Sequence, residues 1–303
     1  MISTMIDNFT NIGIINSKDI TTLEKEANNN NRRIIFIDST FILPNSHEDI
    51  YKNYKEKRIT NAVFFDLKAI SNKKSIYPNM LPEEKYFSEY ASNLGIINSD
   101  ILIIYGQHGM LMGPARAWWM FKWFGHNDVI VLNGGLTAWE NEGFAIETNP
   151  PKAYKKSEYT ASNFNSEAII DMAEVLEASK NKLCPIIDAR PKDRFSGKSL
   201  EPRVSMRSGH IPNSKNIPCS TLVGNDGKFK TKGQINQIFK NSGIDIDDKN
   251  LENRIITTCG SGVTACAISL ALHYIGHTNV AVYDGSWSEW GLETSPTPVS
   301  KIQ

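Results

Sequence analysis

The stretch RIITTCGSGVTACAISLALHYIG, residues 254–276, decides the fold and contains the strongest candidate for chemistry in the chain. Its first residues, through Thr258, form an apolar run of the kind that makes a buried strand. The run from Ala265 has the length and composition of a buried helix. The pattern predicts a strand, the loop 259–264 and a helix. Cys259 would then lie at the carboxyl end of a parallel strand, where α/β sheets bind ligands.

Cys259 is the residue of this loop that could act as a nucleophile. Gly260 and Gly262 let the backbone curl, so that N–H groups of the loop, those of Val263 and Thr264 among them, can point inward as a nest. The start of the following helix adds partial positive charge. Both effects favour a thiolate over a thiol, and the loop would also suit a bound persulfide.

The other three cysteines are interpreted as packing residues: Cys184 within a strand, Cys219 at a strand end and Cys266 on the buried helix. A zinc site is not expected, because the chain has no Cys-x₂-Cys pair and its 6 His are scattered. A redox pair of Cys259 and Cys266 is an alternative, although its spacing is not Cys-x-x-Cys. Ala265 stands where a Cys-x₅-Arg phosphate-binding loop would need its arginine.

The two halves of the chain repeat each other. Five matches recur at offsets of 150, 152, 151, 150 and 151 residues. They pair Asp38 with Asp188, Asn61 with Asn213, Gly125-His126 with Gly276-His277, Gly135 with Gly285, and Trp139 with Trp290. A nearly constant offset indicates two copies of one domain.

Each copy alternates short apolar runs with helical stretches, which predicts an α/β fold. We expect two tandem domains, each a mostly parallel sheet flanked by helices. The first would span residues 10–146 and the second residues 169–297, joined by a polar linker over 147–168 that contains Pro150-Pro151. The aromatic-rich stretch 113–125 is interpreted as a helix packed against the first sheet.

Composition limits the function. The 303 residues include 33 Lys+Arg and 33 Asp+Glu, so no basic surplus favours nucleic acid or an anionic membrane. No apolar run has the length of a membrane span, and the first residues lack the features of a signal peptide. With only 4 Cys, a reducing cytoplasmic location is the expectation.

Several blocks of the chain resemble the tandem-rhodanese sulfurtransferases, and among them the 3-mercaptopyruvate sulfurtransferases. Around the cysteine loop the blocks are Cys-Gly-Ser-Gly-Val-Thr-Ala at 259–265 and Tyr-Asp-Gly-Ser-Trp-Ser-Glu-Trp at 283–290. In the first copy they are Phe64-Phe65-Asp66, Met80-Leu81-Pro82, Trp118-Trp119-Met120-Phe121 and Gly134-Gly135. In the second they are Asp188-Ala189-Arg190, Arg194-Phe195, Glu201-Pro202-Arg203 and Gly209-His210-Ile211-Pro212.

The resemblance implies a catalytically silent first domain and a nucleophile in the second. His108 lies at the position of the first copy that corresponds to Cys259, which fits a replaced residue in a silent loop. The small residues Gly260 and Ser261 are typical of the mercaptopyruvate members, whereas thiosulfate-preferring members carry a basic loop. The resemblance further implies that Arg194 and Arg203 bind the substrate carboxylate.

The implied reaction is sulfur transfer through a persulfide on Cys259, with Ser261 assisting a proton relay. It needs a small-molecule sulfur donor and an acceptor such as thioredoxin, a low-molecular-weight thiol or cyanide, and no cofactor or metal. Nucleic acid and membrane are not expected partners. Arg190 and Arg207 are expected to have structural or electrostatic roles.

One departure from the family pattern leaves alternatives open. Related proteins place Asp and His of the first domain against the loop serine, and the matching positions here are Lys68 and Asn79. Protons could then move through Ser261 and water, or thiosulfate could be the preferred donor. A non-catalytic rhodanese-like binding module and a redox enzyme are the further alternatives.

Overall fold

The computed structural model describes residues 4–43, 46–109, 112–162, 166–246 and 254–302. Their internal contacts divide the chain into two compact units. The first comprises Met1–Ile70, Pro82–Phe164 and Gly224–Phe229, and the second comprises Ser71–Leu81, Asn165–Val223 and Lys230–Gln303. Residues 71–81 thus belong to the unit of the second copy, and residues 224–229 to that of the first. The repeat pattern did not predict that these two segments belong to the unit of the other copy.

The first unit contains a five-stranded parallel sheet. Its helices are α1 (Met5–Ile12), α2 (Ile20–Asn29), α3 (Ile50–Glu56), α4 (Leu67–Ile70), α5 (Glu84–Asn93), α6 (Met112–Trp123) and α7 (Gly135–Asn141). Its strands are β1 (Ile14–Ile15), β2 (Ile34–Asp38), β3 (Arg58–Ile59), β4 (Val63–Phe64), β5 (Ile101–Tyr105), β6 (Val129–Leu132) and β7 (Ile146–Glu147). The sheet order is β1-β6-β5-β2-β4, and β3 and β7 form a separate antiparallel pair.

Central strand β5 and helix α6 show why the first unit folds this way. Every residue of β5 (ILIIY) is buried, as a strand covered on both faces requires. Trp118, Trp119 and Phe121 of α6 are buried as well, and the Arg116 guanidinium lies 4.7 Å from the ring centre of Trp119. The aromatic stretch is therefore part of the core, as the sequence predicted.

The second unit contains a parallel sheet of the same design. Its strands are β8 (Ile169–Ile170), β9 (Ile186–Asp188), β10 (Lys215–Asn216), β11 (Ile255–Thr258) and β12 (Val280–Tyr283). Its helices are α8 (Met172–Asn181), α9 (Lys192–Ser196), α10 (Lys232–Asn241), α11 (Ala265–Tyr274) and α12 (Ser286–Trp290). The order β10-β9-β11-β12-β8 matches that of the first sheet strand for strand. The predicted α/β fold with two parallel sheets is confirmed.

Local signals in the sequence set the ends of these helices. Helix α8 begins with a capping box, in which the Asp171 side chain accepts from the Glu174 N–H and Glu174 accepts from the Asp171 N–H.

The sequence placed Cys184 within a strand. It instead precedes β9, which begins only at Ile186, and its side chain is half-buried. Pro185 accounts for the later start, because proline has no N–H to donate to a sheet ladder.

Within the described ranges, no helix combines the length and the apolar character that crossing a bilayer would need.

Candidate active site

Cys259 occupies the position that the sequence predicted. Strand β11 ends at Thr258 and α11 begins at Ala265, so the loop 259–264 lies at the carboxyl end of the central strand. Strands β9 and β12 flank β11 in parallel, and their carboxyl ends meet at the same edge of the sheet. The Cys259 side chain is 2% exposed. A buried cysteine at this edge lies where an α/β sheet binds its ligand.

Ser286 organises the loop, a role that the sequence did not reveal. Its Oγ accepts the N–H groups of Cys259 and Gly262, each at 3.1 Å. The same hydroxyl donates to the Tyr283 carbonyl at 2.7 Å, which fixes its direction. Ser286 is fully buried and has a φ of +49°. Its hydroxyl therefore ties both sides of the loop to the end of β12.

The next residues of α12 hold the loop carbonyls. The Trp287 N–H donates to the Cys259 carbonyl at 3.0 Å, and the Ser288 N–H and hydroxyl both donate to the Gly260 carbonyl. In a trans peptide the N–H points away from its carbonyl. The N–H groups of Gly260 and Ser261 therefore face away from α12.

The predicted nest of N–H groups is only partly available for a bound group. The Gly262 N–H was expected to contribute, but it is bonded to Ser286, and the φ of +76° at Gly262 shapes the turn instead. Within the described parts of the chain, the N–H groups of Gly260, Ser261, Val263 and Thr264 have no hydrogen-bond acceptor. These four, in the loop that leads into α11, are the donors that remain for a persulfide.

Replacing Ser286 with alanine is expected to destabilise the protein by about 3 kcal/mol. Alanine keeps the same backbone constraint at a positive φ, so the change isolates the hydroxyl. It leaves two buried N–H groups and one carbonyl without their partner. Urea unfolding of the variant and the wild type measures the difference. Ser208→Ala is the matched control, because its hydroxyl makes one long bond of 3.5 Å. A loss similar to the control's would contradict the role of Ser286.

The two predicted substrate arginines converge beside Gly260. A Cβ atom added to Gly260 would lie 3.1 Å from Arg194 Nη2 and 3.8 Å from Arg203 Nη1. Arg203 is also near enough to Cys259 for the two to interact electrostatically. Its burial and the neighbouring Arg194 lower the pKa of Arg203. Gly260 thus leaves room for two cations next to Cys259.

Glu201 holds this pair in a buried network. Its carboxylate accepts from Arg194 through Nε and Nη2, and from Arg190 Nη1 at 2.8 Å. Arg190 in turn binds Asp188 through Nε and Nη2 and lies 4.2 Å from the ring centre of Trp287. The carboxylate of Glu201 cancels one positive charge at the loop. Arg190 is 1% exposed and fully engaged, which agrees with the structural role expected for it.

Ser261 follows Gly260 and accepts two hydrogen bonds. Asn79 Nδ2 donates to its Oγ at 2.9 Å, and Arg203 Nη2 donates at 3.4 Å. Nearby, the Leu81 N–H donates to Asp284 Oδ2 at 2.8 Å. Asn79 and Leu81 belong to residues 71–81 of the second unit. Lys68, in contrast, lies in α4 of the first unit.

The second unit contains three further cysteines. Burial, and then the neighbouring Cys259, raise the pKa of Cys219 to about 12, and burial also raises the pKa of Cys184. Both are therefore protonated at neutral pH. Cys266 donates from Sγ to the Gly262 carbonyl at 3.3 Å. All four cysteines are free thiols in the structure.

The corresponding loop of the first unit carries His108 in place of a cysteine. The His108 side chain is exposed, and its Nε2 lies 2.7 Å from Glu48 Oε1.

Arg207 of the second unit donates to the Thr297 and Trp290 carbonyls, each at 2.7 Å, so it has the structural role expected. Among the residues that the structure describes, no three His, Cys, Asp or Glu side chains group as a metal site.

Comparison with known proteins identifies the family and the fold. The family model of the rhodanese-like domain matches twice, at residues 21–142 and 171–293. The chain is 38% identical to the 3-mercaptopyruvate sulfurtransferase of Escherichia coli (strain K12), over 89% of this chain and 93% of that protein. It is 36% identical to the thiosulfate sulfurtransferase of Gallus gallus, over 84% and 85% of the two chains. The crystal structure of SseA from Escherichia coli superposes with a TM-score of 0.79 at 34% identity, covering 91% of this chain and 99% of that one. The chain contains two copies of the rhodanese-like domain and is extensively identical to these enzymes. It therefore belongs to the tandem-domain sulfurtransferases of the rhodanese family.

Proposed function

We propose that the protein transfers sulfane sulfur from 3-mercaptopyruvate to a thiol or to cyanide, through a persulfide on Cys259. The convergence of Arg194 and Arg203 on Gly260, beside the buried cysteine, carries this proposal. Guanidinium groups suit a carboxylate because their planar donors match its two oxygens. A keto acid bound there would place its sulfur toward the loop.

The net charge of the loop supports the keto acid as donor. Arg194 and Arg203 contribute two positive charges, and Glu201 removes one of them. The more distant Arg190 and Asp188 compensate each other. Counted together with the Cys259 thiolate, these groups carry no net charge, so they compensate the two charges of thiosulfate less well than the single carboxylate of mercaptopyruvate. This difference in charge would favour the monoanion.

In the first half-reaction, the Cys259 thiolate attacks the sulfur of mercaptopyruvate. A sulfur–sulfur bond forms, the carbon–sulfur bond breaks, and its electron pair leaves with the enolate of pyruvate. The former substrate thiol proton passes to the enolate carbon, which gives pyruvate and an anionic persulfide. The loop N–H groups of Gly260, Ser261, Val263 and Thr264 stabilise that anion.

In the second half-reaction, an acceptor thiolate or cyanide takes the outer sulfur and restores the Cys259 thiolate. The two half-reactions predict ping-pong kinetics. We extend the proposal to an acceptor such as thioredoxin or a low-molecular-weight thiol, and to a reducing cytoplasmic compartment where such thiols are available.

Steady-state kinetics of the wild type with both donors test the function. We expect kcat/KM to be at least about tenfold higher with 3-mercaptopyruvate, because a charge mismatch costs on the order of 1.4 kcal/mol or more. Mass spectrometry after incubation with donor alone should show one added sulfur atom on the peptide that contains Cys259. A higher kcat/KM with thiosulfate would favour the second candidate, a thiosulfate sulfurtransferase, which the identity to the Gallus gallus enzyme supports. No added sulfur and no turnover would favour a binding module.

A further inference from the structure

Asn79 is held in place independently of Ser261. Its φ is +60°, a left-handed conformation that asparagine and aspartate adopt more readily than most residues. Two residues later, the Leu81 N–H is bonded to the buried carboxylate of Asp284 at the end of β12. Within the same segment, the Asn72 N–H donates to the Met80 carbonyl at 2.9 Å. The backbone around Asn79 is therefore held by contacts that do not involve Ser261.

The hydrogen bonds of Ser261 determine the direction of its hydroxyl proton. A hydroxyl has one proton to donate and two lone pairs that accept. The donors Asn79 Nδ2 and Arg203 Nη2 occupy both lone pairs. Across the described ranges, no residue accepts the proton of Ser261. The hydroxyl thus has its acceptor sites filled by protein and its proton left for a bound molecule.

We infer that Asn79 is a positioning residue that makes Ser261 a fixed hydrogen-bond donor to the substrate. The inference rests on the proposed function. As the carbon–sulfur bond of mercaptopyruvate breaks, negative charge develops on the ketone oxygen of the enolate. The Ser261 hydroxyl donates to that oxygen and keeps its own proton throughout. A donor that is already oriented stabilises developing charge without the cost of reorganisation.

The chemistry of the Asn79 side chain agrees with this role. A primary amide is not a base at neutral pH, so it cannot remove the proton of Ser261. Its Nδ2 can only donate, which keeps the hydroxyl proton directed toward the substrate. The proton for the enolate carbon comes from the substrate thiol, as in the first half-reaction above. Proton removal from Ser261 is therefore not needed.

Asn79→Asp is the test, because aspartate has the same shape and tolerates the same backbone conformation. The carboxylate would accept the Ser261 proton instead of donating to Oγ, and so remove that proton from the substrate. We expect kcat with mercaptopyruvate to fall on the order of 100-fold, the loss typical of one missing donor. We expect kcat with thiosulfate to fall less than about threefold. The leaving sulfite carries negative charge that thiosulfate already had, so no enolate oxygen forms that needs the Ser261 donor.

Two further variants complete the experiment. Ser261→Ala should match Asn79→Asp in its loss with mercaptopyruvate, and the double variant should lose little more, since both changes remove one interaction. Asn213→Asp is the control, because Asn213 has a φ of +62° and donates to the Ser179 carbonyl, outside the site. It should keep kcat with both donors.

Three results would overturn the inference. The first is an Asn79→Asp variant that keeps the wild-type kcat with mercaptopyruvate. The second is an equal fall in its kcat with mercaptopyruvate and with thiosulfate. The third is a double variant in which the kcat losses of Asn79→Asp and Ser261→Ala add fully. A wild type without turnover of mercaptopyruvate would instead overturn the proposed function, and the inference with it. The wild-type rate thus separates the two failures.

Discussion

Replacing Cys259 with serine is expected to remove sulfur transfer from mercaptopyruvate and from thiosulfate alike. A serine hydroxyl is not ionised at neutral pH, and it cannot form the sulfur–sulfur bond of a persulfide. Loss of a nucleophile typically lowers kcat by a factor on the order of 10⁴ or more. The variant should still fold, because the side chain is nearly isosteric and its N–H remains bonded to Ser286. Turnover with each donor and the mass of the loop peptide measure the outcome.

Cys184→Ser is the matched control for this experiment. Cys184 is half-buried and its raised pKa keeps it protonated, so its loss should leave both rates unchanged. Residual activity of Cys259→Ser above a few per cent of the wild type would show that another group carries the sulfur. A rate that falls equally in Cys184→Ser would point to a general loss of structure.

Replacing Arg203 with alanine is expected to lower kcat/KM for mercaptopyruvate on the order of 1,000-fold, which corresponds to ~4 kcal/mol. Arg203 is close to Cys259, donates to Ser261 and lies beside Gly260, so its loss affects both the substrate carboxylate and the loop. Arg203 has no ion pair of its own in the described structure, whereas Arg194 is bound to Glu201. Removing Arg203 therefore leaves no buried carboxylate without its ion-pair partner.

Steady-state kinetics of three variants test this prediction. Arg203→Lys should recover only part of kcat/KM, because a lysine keeps the charge but loses the planar donors. Lys192→Ala, at the exposed start of α9, controls for loss of one positive charge. If Arg203→Ala stays within about threefold of the wild type, Arg203 does not bind the carboxylate.

Much of the fold could be predicted because it depends on local patterns. Wholly apolar runs such as Ile101–Tyr105 form buried parallel strands, and the glycine-containing loop after Thr258 separates a strand from a helix. The constant offset of the repeat indicated two domains of one design. The start of β9 was predicted too early. The sequence could not predict that residues 71–81 belong to the second unit and residues 224–229 to the first, because these assignments arise from contacts between positions distant in sequence.

Candidate site residues could be proposed from the sequence where the residue type itself suggests the chemistry. Cys259, Arg194 and Arg203 could be proposed from the loop and from family resemblance. Ser286 and Glu201 could not be assigned a role, since Ser286 binds the N–H of Cys259, 27 positions away, and Glu201 binds Arg194, seven positions away. The segment 283–290 gave a signal only through its resemblance to the family. Its function in tying the loop required three-dimensional distances.

The assignment of residues 71–81 to the second unit limits how the protein can be dissected. A fragment cut at the repeat boundary would retain Cys259 and both arginines. It would lack Asn79 and Leu81, which supply hydrogen bonds to Ser261 and Asp284. The duplicated copy is therefore not a self-sufficient module, and the catalytic half depends on eleven residues encoded far upstream of it. A truncated protein that keeps only the second copy would contain Cys259 without its complete surroundings.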